Sequence, residues 1–384
     1  MLVPETPPQR QTAPNMSPTR VPATRRLAVL GLAMLCGCQP AAPIKVGFVD
    51  TLSGRVTDLA IDGRNGAELA IETLNAQPGR RYELSVHDDG GTPESASAAI
   101  DALADEGVAF VIGPMTSTNA ASMLPEASKR HLVLISPTAN SDALSGQDDW
   151  FFRVMPASGP GAEQLAAALV ARGLTPVAAM TEWRNRTYSE SFTRRFDARL
   201  RDLGGPPIRE VRYESDQSPD YAKIAAQLLV MHPKSVLLVC SAVDASIVAQ
   251  QLRRLDANVQ LAMSPWGANA ELLQLGGRAI EGALVLQTQD PDSQEPVYLE
   301  FRKRFVQRYG SQPSQAAAYA YEATMMGAEG LRRKADDQSL RDVLRAPGSW
   351  PGLQKPVVLD RFGDSVGAFH LSEVRQGRFA MLGS

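Results

Sequence analysis

From residue 44 onward the chain alternates two kinds of apolar spacing. Short β-branched runs at 44–49, 82–87, 108–112 and 132–135 are separated by longer Ala- and Leu-rich stretches near 58–76, 93–106 and 117–129. The first kind predicts strands and the second predicts helices. A second series keeps the same rhythm: strands at 177–180, 208–213, 236–239 and 260–263, with helices near 188–203, 219–231 and 242–256. Strands alternating with helices of roughly 10–15 residues predict βαβ units and a parallel sheet. The apolar run 235–240 shows no polar alternation, which suits a strand covered on both faces. Near the C-terminus the rhythm changes. Segments 357–359, 368–374 and 378–382, separated by Arg361-Phe-Gly-Asp364 and Gln376-Gly377, predict a strand followed by a hairpin. The pattern predicts an α/β chain of two doubly wound parallel-sheet lobes.

The residues before 44 have a different character. Arg20, Arg25 and Arg26 precede an apolar run at 27–36, half the roughly 20 residues that a membrane-spanning helix needs. A basic stretch followed by a short apolar one is the pattern of a secretory signal. Leu35-Cys36-Gly37-Cys38 resembles a bacterial lipobox, so Cys38 is expected to carry a lipid and to open the mature chain. Cys36 fits less well, because Leu35 would then occupy the cleavage position. An ordinary signal peptide with incidental cysteines is the alternative. The expected division is therefore a leader and signal at 1–37 and a tether at 38–43. Residues ahead of Met16 are rich in Pro, Gln and Thr, and read as disordered or as an over-extended start, with Met16 the alternative initiator.

Charge narrows the partners. The chain has 39 basic and 42 acidic side chains, a net −3. Residues 1–37 hold four arginines and one glutamate, so residues 38–384 carry −6. That balance excludes a strongly basic nucleic-acid footprint. Of three cysteines, Cys240 alone would stay free after processing, and it sits in the apolar run 235–240, as a buried small hydrophobe would. No intramolecular disulfide is then available, and the length suffices for two cores.

Motifs of covalent chemistry are missing. The sequence has no G-x-S-x-G, S-x-x-K, H-E-x-x-H or Walker A loop, and its four histidines (87, 131, 232, 370) are scattered. Neither metal nor cofactor is implied. Two loops are richer. Gly113-Pro-Met-Thr-Ser-Thr118 and Ser136-Pro-Thr-Ala-Asn-Ser141 both come after predicted strands and crowd hydroxyls at a helix start. Ligands of open α/β sheets sit at such places, although plain N-capping would select the same residues.

In order along 44–364 come "IKVGFVDTLSG", "GAELAIETLNA", "VIGPMTS", "LISPTAN", "FFRVMPAS" and "LDRFGD". Together they resemble the leucine/isoleucine/valine-binding branch of the type I periplasmic solute-binding proteins of ABC transporters. The resemblance implies two lobes joined by three crossover strands, here near 152–156, 280–287 and 353–358, closing on a ligand. It assigns 44–154 with 284–355 to the first lobe and 155–283 with 356–384 to the second. Carried over by motif, Ser117 would bond a ligand carboxylate. Thr138 would offer its backbone carbonyl to an ammonium, with Ala139 beside it, and Asn140 would replace a contacting threonine. Tyr188, in "YSESF", would close over the ligand.

Departures from the family pattern bear on the ligand. Leu59 stands where a tyrosine is often found, and Gly91 and Thr116 replace a pair disulfide-bonded in some members. Trp266, in "MSPWG", replaces a glutamate that pairs with the ammonium. Asp244, in "CSAVDAS", is either a substitute carboxylate or the N-cap of the next helix. Trp266 is either a ligand contact, suited with Tyr188 to a flat or apolar solute, or core. The expected function is a lipid-anchored, extracytoplasmic, monomeric solute-binding component that delivers a small polar solute to an ABC permease. A ligand sensor is the alternative, and an enzyme on this fold is disfavoured by the missing motifs.

Overall fold

The computed structural model describes residues 7, 9, 10, 41–53 and 58–382. Cys38 and the apolar run before it lie outside the described residues. From Pro43 onward the chain is one compact unit, built on two sheets.

The first sheet holds β1 (Ile44–Asp50), β2 (Tyr82–Asp88), β3 (Val111–Ile112), β4 (Leu134–Ser136) and β5 (Phe151–Arg153) in the order β2-β1-β3-β4-β5. All its pairings are parallel. Register places Phe48 beside Ile112, Ile112 beside Ile135 and Ile135 beside Phe152. That row packs with Tyr319 and Met326 of helix Gln315–Arg333, while Val49, Val111, Leu134 and Phe151 pack with Ile100, Leu103 and Met123 on the other face. Both faces are covered, so these strands need no polar alternation.

The second sheet adds β6 (Val177–Glu182), β7 (Arg209–Tyr213), β8 (Ser235–Val239), β9 (Gln260–Met263), β10 (Leu284–Gln287), β13 (His370–Arg375) and β14 (Arg378–Met381), ordered β14-β13-β10-β9-β8-β6-β7. The last two strands form the hairpin expected from the tail and join antiparallel. Cys240, at the end of β8, is a free buried thiol.

Between the sheets the chain crosses three times, twice at places later than the sequence suggested. Leu284–Gln287 pairs in the second sheet with β9 and β13, so the return to the first lobe comes after residue 287. Likewise Val357–Val358 (β12) pairs with Ser349–Trp350 (β11), and Val357 is buried in the first-lobe core. The final crossing therefore comes after 358. In both cases the strand's own pairing holds it to a lobe, which apolar spacing does not specify.

A buried ion pair fixes the first crossing. Arg153 is fully buried, its Nε 2.9 Å from Asp364 Oδ1. Its guanidinium donates to Ser141 O at 2.8 Å and to Ser145 Oγ. Burial lowers the guanidinium's affinity for its proton, opposed by Asp364. Asp364, from the "RFGD" turn, also accepts from Gly146 N at 2.8 Å.

Candidate functional site

The first-lobe wall is made by the loops after β3 and β4. Gly113 opens the first with φ +111°, and a Cβ there would lie 2.2 Å from Val49 O, so only glycine fits the turn. Thr116 then caps helix Ser117–Lys129, its Oγ1 accepting from Asn119 N. The second loop is laced onto the first. Ser136 Oγ donates to Pro114 O at 2.7 Å and accepts from Ala139 N at 3.0 Å. Thr138 Oγ1 donates to Met115 O at 2.6 Å, and Ser117 Oγ accepts from Ser141 N at 3.1 Å. Asn140 Nδ2 donates to Pro156 O at 3.2 Å. Hydroxyls that the pattern offered either as caps or as ligand contacts are, in large part, holding the two loops together.

The second-lobe wall is different. Tyr188, near the start of helix Arg186–Asp202, is buried, and its ring meets Trp266 edge-on at 5.9 Å between centroids. Trp266 sits in the turn Pro265–Gly267 after β9. Among the described residues, neither Tyr188 Oη nor Trp266 Nε1 has a hydrogen-bond partner, though both atoms are buried. Ser264 Oγ, also buried, lies beside the phenol and opposes the upward push of burial on it. Burial pushes the Tyr188 phenol up from its usual range, so it keeps its proton.

The two walls line a narrow pocket of about 20 Å³, made by Leu59, Met115, Thr138, Asn140 and Met155 on one side and by Asn185, Tyr188 and Trp266 on the other, with Gln315 at the edge. Hydrogen bonds run directly between the lobes around it. Thr118 N donates to Asn185 Oδ1 at 3.2 Å, Thr187 N to Thr118 Oγ1 at 3.1 Å, and Ser141 Oγ to Thr187 O at 2.7 Å. Arg195 Nε lies 2.9 Å from Asp142 Oδ2, and Gln315 Nε2 donates to Pro265 O. The pocket thus lies between two α/β lobes, and residues of both line it.

Comparison with known proteins agrees. The family model described as periplasmic binding protein matches residues 43–377. The chain belongs to the periplasmic binding protein family. Among curated relatives it is similar to the Leu/Ile/Val-binding protein of Escherichia coli, 23% identical over 359 residues that cover 88% of this chain and 95% of that one. Among solved structures it is similar to a leucine binding protein of Thermotoga maritima, at TM-score 0.79 and 21% identity, covering 88% of this chain and 98% of that one. It is likewise similar to an ABC transporter solute binding protein of R. palustris solved with benzoate, at TM-score 0.80 and 19% identity, covering 89% and 96%. These relatives are binding proteins and not enzymes.

Within this periplasmic binding protein, Thr138, Asn140, Tyr188 and Trp266 come together at the cavity. Ser117 and Ala139 are buried one layer behind it. Trp266 therefore stands at the cavity and packs against the core at once. Asp244 lies elsewhere. It lines an outer cleft of about 350 Å³ that shares Asn185 and Trp266 with the inner pocket. There its carboxylate accepts from Tyr213 Oη at 2.7 Å and Tyr221 Oη at 2.5 Å. It is not the helix cap either: Ser241 caps Ala242–Leu255 and accepts from Asp244 N at 3.2 Å. The outer cleft also carries Asp50 and Glu182, whose carboxyls burial pushes up.

Asn185, Gln315, Met115 and Met155 line the cavity without having stood out in the sequence. Asn185 had a local signal, a carboxamide just ahead of the aromatic helix start. Gln315 had none, because it arrives from a helix beyond the second crossing. Among the described residues no cluster of ligating side chains could hold a metal ion, and no helix is long and apolar enough to cross a membrane.

Proposed function

We propose that this protein is the solute-capturing component of an ABC uptake system, held to a membrane by a lipid on Cys38 and handing its solute to a permease. The single observation that carries the reading is the pocket between the lobes, whose walls come from both of them. A solute there touches both lobes at once, so it binds the closed arrangement more tightly than an open one and shifts the population toward it. The bonds joining Thr118, Asn185, Thr187 and Ser141 would form in the same movement. Thr138, Asn140, Tyr188 and Trp266 are the proposed solute contacts. The relatives named for Leu/Ile/Val and the neighbour solved with benzoate bracket the solutes to try first.

The test uses residues 39–384 in soluble form, with thermal unfolding and small-angle scattering measured against branched-chain amino acids, their amides and aromatic carboxylates. A true solute at about 100 times its Kd adds about 2.7 kcal/mol of stability and reduces the radius of gyration. If scattering shows no compaction with any solute that raises the melting temperature, capture by closure is wrong. Lipidation is tested separately by the membrane fraction of the full chain against Cys38→Ser.

A further inference from the structure

The inner cavity carries a recognition feature that narrows the solute class, resting on the capture reading above. Two of its lining residues carry buried donors without partners among the described residues, the Tyr188 hydroxyl and the Trp266 indole N–H. An indole N–H can only donate, and a protonated phenol donates readily. An unpaired buried donor is costly, and these two line a space between lobes that a solute would occupy. On the opposite wall Thr138 Oγ1 and Asn140 Nδ2 donate to Met115 O and Pro156 O, so their donor protons are committed within the protein. The remaining lining is thioether, aliphatic and carboxamide. Asp244, the carboxylate nominated to receive an ammonium, points its oxygens at two tyrosine hydroxyls in the outer cleft.

We infer that the solute presents acceptor oxygen, as a carboxamide or carboxylate on a short apolar body, to Tyr188 Oη and Trp266 Nε1, and needs no ammonium group. The oxygen pairs both donors, and the thioethers of Met115 and Met155 with Leu59 pack the apolar body.

The experiment is calorimetric titration with matched probes: leucine, 4-methylpentanamide and 4-methylpentanoate, then phenylglycine, benzamide and benzoate. Wild type, Tyr188→Phe and Trp266→Phe are compared, each first checked for a cooperative melt without probe. The expected result is that an ammonium-free member of a set binds more tightly than its amino acid. Each variant should weaken that binding by about tenfold, the loss of one buried hydrogen bond. The amide and carboxylate arms separate the two oxygen sources. Tighter binding of leucine or phenylglycine than of their ammonium-free partners overturns this inference and leaves the uptake reading standing. Ammonium-free binding unchanged in both variants overturns the assignment to these donors. Binding by none of the probes overturns the inference and removes the support for capture of this solute class.

Discussion

The two walls of the cavity are built on opposite plans. On the first lobe, Ser117, Ser136, Thr138 and Asn140 all find partners within the protein, and the buried Arg153–Asp364 pair anchors the loop behind them. On the second lobe, Tyr188 Oη, Ser264 Oγ and Trp266 Nε1 are buried with none among the described residues. A wall whose polar groups are satisfied is rigid and costs nothing to keep when the site is empty. A wall with open donors is less stable alone and gains more when a matching solute arrives. The difference assigns shape to one lobe and selectivity to the other.

The largest effect should come from breaking the anchor of the satisfied wall. Asp364→Ala leaves the Arg153 guanidinium buried without its counter-charge, and should cost about 3–5 kcal/mol in chemical denaturation. A loss below about 1 kcal/mol would show that the loop does not depend on the pair.

Glu322 gives the next effect, and it depends on pH. Its carboxyl is buried on helix Gln315–Arg333 and accepts from Leu353 N at 2.7 Å. Burial raises it to about 8. Because the folded value lies above the ordinary one, the folded state holds the proton longer. The stability this contributes is complete below about pH 4.5 and is lost as pH rises toward 8. Glu322→Gln keeps an acceptor for Leu353 and removes the titration. The variant should match wild type at pH 4 and exceed it, by a few kcal/mol at most, at pH 9. Parallel pH profiles for the two proteins would contradict this.

Ser136→Ala tests the lacing of the loops. It strands Pro114 O and Ala139 N in a fully buried position, and should cost about 1–3 kcal/mol. The smallest effect sharpens the contrast most. Tyr188→Phe removes a buried donor with no hydrogen-bond partner among the described residues, so the solute-free protein should lose no stability and gain up to about 1 kcal/mol. A loss above about 1 kcal/mol would mean the hydroxyl has a structural partner, and the two walls would no longer differ in kind.

Much of the fold was legible because apolar periodicity reports it directly. The β-branched runs at 44–49, 82–87 and 236–239 sit within strands Ile44–Asp50, Tyr82–Asp88 and Ser235–Val239, and both sheets have covered faces. The site was legible in part. The hydroxyl-rich loops lie at the cavity, yet which hydroxyl faces it and which ties one loop to the other depends on partners more than 20 residues away. Asp244 shows the limit: its neighbours in sequence suggest a cap or a ligand, and its carboxylate is engaged by Tyr213 and Tyr221 from two other elements.

The sequence by itself determined the alternation of strand and helix, the parallel order that this forces, and the residue types at the strand ends where a solute would sit. It does so because side-chain spacing and turn chemistry act over a few residues. Tertiary structure alone decided where the chain leaves each lobe, that "RFGD" supplies the counter-charge of a buried arginine, and that Gln315 and Asn185 reach the cavity. It also decided which donors remain open. Each of these depends on groups far apart in the chain being brought within hydrogen-bonding distance, and short-range periodicity carries no record of such distances.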